Sequence, residues 1–238
     1  SIANLLRLQP GESIASILSV REFEEDKFVM IATERGIVKK TSLMAYSKPR
    51  QGGIIGLTID EGDRVIGAEL CDGESDILLA TAKGFSIRFS EKEVRPIGRT
   101  GRGVRGIRLS AGDKVVEAGV IDDPKTSKLL IVMENGLGKM TAVGQYRFQG
   151  RGGTGVKAAQ LTAKTGEVVG GCILKDGEDG DLLCISKQGQ AIRMLLSDIP
   201  SRGRATQGVI VMRLKAKDKV ATMSVVMQDK EGKEATLE

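Results

Sequence analysis

The sequence holds no histidine and no tryptophan, only three cysteines, and aromatic residues make up just 3% of its 238 positions. Without histidine, Ser-His-Asp and Cys-His nucleophile activation are excluded, and so is the commonest zinc ligand. Cys71, Cys172 and Cys184 are odd in number and lack C-x-x-C spacing. They read as buried, reduced thiols of a cytoplasmic protein rather than as a disulfide framework or a metal site. So few rings disfavour single-strand binding by base stacking. No apolar run approaches the roughly 20 residues of a membrane span, and no signal peptide is visible. No nucleophile–base pair or ligand cluster stands out, so an enzymatic reading fares worst: no catalytic residue, metal ligand or cofactor is assigned.

What is present is repetition. Four basic, glycine-rich stretches recur at a period of about 50 residues: 48–59, 95–109, 146–161 and 201–214. Gly53, Gly103, Gly155 and Gly208 align within them, each followed by Ile or Val, and none of the stretches contains an acid. A period of this size marks a solenoid or a propeller. Each repeat opens at a charged turn, as in Gly62-Asp63-Arg64-Val65 and Gly112-Asp113-Lys114-Val115, with a weaker copy at Gly11-Glu12-Ser13-Ile14. A strand is expected after each. A hairpin follows, its first arm continuously apolar (28–33, 77–81, 129–133, 182–186) and its turn closed by Gly36, Gly84, Gly136 or Gly189. The second arm alternates, as a half-buried strand does. The basic stretch then leads into a fourth strand, expected at Gly106–Leu109 in the second repeat.

Four short strands per 50 residues, with no helical pattern, describe an all-β propeller of four-stranded blades. The repeats run approximately 9–59, 60–109, 110–161 and 162–214, with half-repeats at 1–8 and 215–238, in one domain. Residues 1–8 are expected to pair near 219–227 or to leave an open edge.

The net charge is +5, but its distribution matters more. Cations at one recurrent position form a track for a polyanion. The candidate DNA-binding residues are Lys48 and Arg50 at a weak first station, and Arg95, Arg99, Arg102, Arg105 and Arg108 at the second. Arg147, Arg151 and Lys157 form the third, and Arg202, Arg204 and Arg213 the fourth. Arginine offers a planar fork to phosphate oxygens, and glycine lets backbone approach closely. Backbone contacts position a duplex without reading its sequence. Arg99, Arg102 and Arg105 are expected to be exposed loop positions whose loss leaves stability unchanged. For any single loop the alternative is an ordinary solvated turn; four in register favour the track. Arg88, Lys139 and Arg193, on second hairpin arms, either extend it or lie on a solvated sheet edge. Tyr46 and Tyr146 read as core packing at the blade edge. Glu22, Glu24, Glu25 and Asp26 read as solvated, as do Asp176, Glu178, Asp179 and Asp181, whose spacing fits no EF-hand loop. A propeller that scaffolds protein–protein contacts is the main alternative of another class; it expects a mixed-charge or apolar face.

With these residues in view, the chain resembles the C-terminal domain of bacterial DNA gyrase A across essentially its whole length. The most specific strings are TGRGVRGIRLSAGDKVV (100–116), RATQGVIVMRL (204–214) and ATERGIVKKT (32–41). The resemblance implies a β-pinwheel, a propeller-like disc whose blades exchange strands, with duplex DNA bound and wrapped around a basic rim. The implied partners are double-stranded DNA, the rest of the gyrase A protein and the gyrase B protein; ATP and Mg²⁺ belong to other parts of that holoenzyme. The implied setting is the bacterial cytoplasm, at the nucleoid, and no membrane. The family's hallmark box reads QRRGGKG in the first blade. Its nearest counterpart here is Gln149-Gly150-Arg151-Gly152-Gly153-Thr154-Gly155, with Gly for the first Arg and Thr for the Lys, in a later repeat. The family commonly has six blades, so the resemblance implies a fragment that starts where the second blade would finish. The related C-terminal domain of topoisomerase IV, with a degenerate box, is a sibling reading.

Overall fold

The computed structural model describes residues 11–50, 53–175 and 177–227. The expectation for residues 1–8 lies outside them. Among the described residues the regular structure is strands and short 3-10 turns. The hairpins are β1 (Phe28–Thr33) with β2 (Ile37–Ser42), and β4 (Asp76–Thr81) with β5 (Phe85–Ser90). The other two are β8 (Lys128–Met133) with β9 (Leu137–Ala142), and β12 (Gly180–Ser186) with β13 (Ala191–Leu195). Between and after them lie four long strands: β3 (Val65–Cys71), β7 (Val115–Ile121), β11 (Val168–Leu174) and β15 (Val220–Met227). Three two-residue strands complete the set: β6 (Val104–Arg105), β10 (Val156–Lys157) and β14 (Val209–Ile210).

The sheet orders are β3-β1-β2-β6, β10-β5-β4-β7, β11-β8-β9-β14 and β13-β12-β15. Each of the first three hairpins is thus flanked on both sides by strands that follow it in later parts of the chain, which is the strand exchange of a pinwheel. The long strands meet one another in succession, β3 with β7, β7 with β11 and β11 with β15, and so form the hub. The two-residue strands lie at the opposite, outer edge. There Val104 pairs with Val38, Val156 with Ser86 and Val209 with Gly138.

Blades stack face to face, and the core lies between them. Ile77 and Leu79 pack with Met30 and Val38 of the blade before, whereas Leu78 and Ala80 pack with Leu129 and Ile131 of the blade after. A strand buried on both faces reads as a continuous apolar run, which is why the first arms do not alternate. Tyr146 is buried in the second of these cores, and Tyr46 is half-buried with its Oη donating to the Gly56 carbonyl at 3.4 Å. Both act as packing residues.

Two expectations are corrected. No strand follows Ile14, because inner strands pair with the preceding repeat's hairpin, and the described residues contain none before β1. The fourth strand is not Gly106–Leu109 but the shorter Val104–Arg105 just before it. The chain turns inward at once: Gly106 N–H donates to the Gly36 carbonyl at 2.8 Å and Ile107 is buried.

Candidate nucleic-acid interface

Each of the last three basic stretches crosses the outer edge of a blade as a loop and then as its short outer strand. Parallel bridges Lys40–Pro96, Arg88–Phe148 and Met140–Ser201 seat the start of each loop on a second hairpin arm. The aligned glycines seat the end. Gly103 and Gly208 have φ of 84° and 79°, and a Cβ on either would come within 2.7 Å of the Val38 carbonyl or 2.5 Å of the Gly138 carbonyl. Only glycine permits both that backbone and that approach.

Between these seats the loops clasp one another. Arg99, Arg151 and Arg204 each stand four residues before an aligned glycine. Arg99 Nη1 donates to the Ile55 carbonyl at 2.8 Å, Arg151 Nη1 to the Arg105 carbonyl at 2.6 Å, and Arg204 Nη1 to the Lys157 carbonyl at 2.5 Å. Each acceptor lies two residues past the aligned glycine of the preceding loop. The Arg151 amide also donates to Glu93 Oε2 at 2.8 Å, and the Arg204 amide to Gln145 Oε1 at 3.0 Å.

Buried lysines underlie two loops. Lys39 and Lys139, each three residues past a hairpin glycine, are only 1% and 0% exposed. Lys39 Nζ donates to the Gly56 carbonyl at 2.6 Å and to the Arg99 carbonyl. Lys139 Nζ donates to the carbonyls of Gly203 at 2.8 Å and Arg204 at 2.5 Å, and contacts Thr206 Oγ1 at 3.3 Å. Burial, with Arg99 or Arg204 adding repulsion, pulls both ammonium groups down to about 8. The corresponding residue under the box-like loop 149–155 is Ile87, which approaches Gly153.

The predicted cations therefore fall into two groups. Among the described residues, Lys48, Arg50, Arg95, Arg105, Arg108, Arg147, Lys157, Arg202 and Arg213 are exposed, and their side chains make no hydrogen bond or ion pair. Arg99, Arg151 and Arg204 are engaged in clasps, and Arg102 is ion-paired with Asp60. Of the three positions expected to be exposed loop sites, Arg102 and Arg105 are exposed and Arg99 is half-buried in its clasp; only Arg105 is free of side-chain partners. The stretch 95–109 lacks acids, but Asp60 reaches it from the preceding loop. Of the box-like residues, Gly150 lies near Glu93, Gly152 donates its backbone N–H to the Gly106 carbonyl at 2.7 Å, and Gln149 donates its backbone N–H to the Arg88 carbonyl at 2.9 Å. Thr154 is exposed, and Gly155 has φ of 77°.

The hairpin-arm cations are engaged within their own blades. Lys139 is buried, which neither expectation for it allowed. Arg88 and Arg193 pair across their hairpins with Asp76 and Asp181, both at 2.6 Å. Lys39, Asp60, Glu93 and Gln145 escaped notice in the sequence. Only the shared offset of Lys39 and Lys139 from Gly36 and Gly136 carried a signal.

The hub holds acids as well as bases. Glu34 accepts Arg64 and Lys114 at 2.9 and 3.0 Å, and Glu134 accepts Lys219 at 2.9 Å. Asp63, Asp113 and Asp218 cap hairpin turns through the amides of Arg35, Lys83 and Gln188 at 2.9–3.1 Å. Burial pushes the Cys172 and Cys184 thiols up to about 12 and 11, which suppresses their thiolates. Among the described residues no cluster of three or more acidic, cysteine or histidine side chains is placed to hold a metal, and no helix is long and apolar enough to cross a membrane.

The repeats align with known proteins. The A subunit of DNA gyrase from Staphylococcus aureus strain NCTC 8325 is 39% identical over 231 residues, which is 97% of this chain and 26% of that protein. The chain thus spans about a quarter of the length of the curated relatives it matches. A solved C-terminal domain of DNA topoisomerase IV superposes with a TM-score of 0.85 at 24% identity, over 95% of this chain and 70% of that one, a likeness of fold. A solved DNA gyrase A C-terminal domain superposes with a TM-score of 0.79 at 26% identity, over 94% of this chain and 74% of that one. The family described as DNA gyrase C-terminal domain, beta-propeller, matches at residues 27–72, 75–122, 127–171 and 180–227, one match for each hairpin with the inner strand that follows it. With four such matches in register with its four blades, the chain belongs to that family.

Proposed function

We propose that the chain binds duplex DNA along its outer edge and bends it from blade to blade, as a non-catalytic part of a gyrase-type topoisomerase. The observation that carries this reading is the recurrence of unpaired cations on the outer loops of successive repeats. Unpaired cations recur at the outer loops, while Glu34 and Glu134 are neutralised by ion pairs at the hub. Phosphate contacts from Arg105, Arg108, Arg147, Arg202 and Arg213 release counterions and offset the elastic cost of bending, on the order of 1–6 kcal/mol for 40–90° over 20–30 bp. Such contacts fix position and leave sequence preference to DNA shape. Strand passage, ATP and Mg²⁺ chemistry, contacts with the gyrase B protein and placement at the bacterial nucleoid belong to the longer protein.

A salt titration with a ~40 bp duplex tests the reading. With about 6–10 phosphates neutralised, affinity should fall roughly 10³–10⁵-fold between 50 and 200 mM salt, with little dependence on sequence. A flat profile, or preference for single strands, would refute it.

A further inference from the structure

Lys39 and Lys139 are too deeply buried to touch a phosphate, yet each spends its ammonium protons on carbonyls of a basic loop. We propose that Lys39 and Lys139 are positioning residues for the rim: each holds a basic loop from beneath and fixes how that loop faces a phosphate backbone. The inference rests on the duplex-binding reading.

A carbonyl oxygen carries partial negative charge and repels a phosphate. Lys39 turns the Arg99 and Gly56 carbonyls inward, and Lys139 does the same to those of Gly203 and Arg204. Charge-assisted hydrogen bonds are the strong ones, so few contacts order each loop. Lys39 also joins two successive loops, because Gly56 follows the first aligned glycine and Arg99 precedes the second. Ordering the loops before DNA arrives removes an entropic cost from binding. The free arginines flanking each loop then start from a fixed base.

The test uses the 238-residue chain and its variants Lys39→Met and Lys139→Met, read by amide hydrogen exchange without DNA and by duplex affinity across salt. Exchange should quicken within 53–59 and 97–103 for Lys39→Met and within 203–208 for Lys139→Met, and nowhere else. Affinity should drop about 10- to 100-fold, the range for losing hydrogen bonds to a charged group. The salt slope should stay at the parent value, because the same phosphates are contacted once bound. Unchanged exchange and affinity overturn the proposal. So does a slope reduced by about 1 per lysine with unchanged exchange, the signature of direct phosphate contact.

Should Lys139→Met fail to fold, Thr206→Val removes a partner of the same network from the solvent side. Quicker exchange within 203–208 with weaker binding then supports the proposal, and no change overturns it. If the parent itself shows no salt-dependent duplex binding, the functional reading fails, while the exchange data still judge whether the lysines order the loops.

Discussion

The box-like loop 149–155 and the loop 203–208 cross neighbouring blade edges with the same seats: a parallel bridge at the start, a positive-φ glycine at the end and a clasping arginine between. They differ in what lies below. Loop 203–208 is held by the buried ammonium of Lys139, whereas loop 149–155 rests on the apolar Ile87 and relies on Glu93, which takes the Arg151 amide and, through its carbonyl, Arg151 Nε at 3.2 Å. Equal cation content thus does not mean equal order. The loop that looks most like a DNA-binding signature in sequence is the one without a buried lysine beneath it.

The largest effect should come from cations that hold nothing in the protein. Replacing Arg95, Arg105 and Arg108 with Ala should reduce the salt slope of duplex binding by up to about 3, at roughly 1 per lost phosphate contact. Stability should stay within about 0.5 kcal/mol per site, because these side chains have no partners to lose. The clasp set Arg99, Arg151 and Arg204 should behave differently, lowering the melting temperature as well as affinity, since each replacement leaves a carbonyl of the preceding loop without its charged donor. Parallel thermal melts and salt titrations separate the two sets. Identical behaviour would erase the distinction between free and engaged cations.

The pH dependence of stability separates lysine-anchored loops from the Ile87 loop. The ammonium groups of Lys39 and Lys139 are pulled to about 8, below the ordinary 10.5. Between those values the unfolded chain binds more protons, so this contribution to stability grows as pH rises and is lost as pH falls through about 8. The buried thiols act the other way, but equally in parent and variant. The stability of the parent relative to the Lys39→Met, Lys139→Met double variant should therefore increase from about pH 8 to about 10.5, measured by urea unfolding. Ile87→Met should show no such trend.

A third comparison probes the side contacts. Glu93→Ala removes the acceptor of the Arg151 amide, and Gln145→Ala removes that of the Arg204 amide. Amide exchange should rise across 149–155 in the first and rise less across 203–208 in the second, where Lys139 still holds two carbonyls. Equal increases would mean that the lysine anchor contributes no local order.

The blade plan was legible because it depends on periodicity. Continuous apolar first arms, glycine-closed turns and aligned loop glycines are local signals, and the four hairpins stand where they pointed. The short outer strand of the second repeat was misplaced by two residues, because Val104–Arg105 pairs with a hairpin of the previous repeat and the chain then turns in to bury Ile107. Which arginines are free was not legible. Arg99 and Arg105 look alike along the chain, and only the position of the Ile55 carbonyl in the neighbouring loop distinguishes them. Lys139 looked like a surface cation because burial of an ammonium requires acceptors, and its acceptors lie 64 and 65 residues away.

The smallest effect concerns Arg102, the one rim arginine whose guanidinium is ion-paired with a carboxylate among the described residues. Asp60 follows its aligned glycine by seven residues; the residues at that offset after Gly103, Gly155 and Gly208 are Ser110, Thr162 and Lys215, none of them acidic. Arg102 is 70% exposed in its pair with Asp60, so the pair lies in solvent and is worth about 0–1 kcal/mol. A phosphate competing for the guanidinium must displace that carboxylate and also approach its negative charge. Asp60→Asn removes both penalties and leaves a neutral side chain of the same shape. Duplex affinity should rise severalfold at low salt, and the salt slope should steepen by up to about 1, as one more phosphate is neutralised. Stability should fall by no more than about 1 kcal/mol. Asp60→Asn combined with Arg102→Ala should lose most of the gain, which ties the effect to Arg102 rather than to net charge. If the double variant binds as tightly as Asp60→Asn alone, Arg102 belongs with the cations that do not reach DNA.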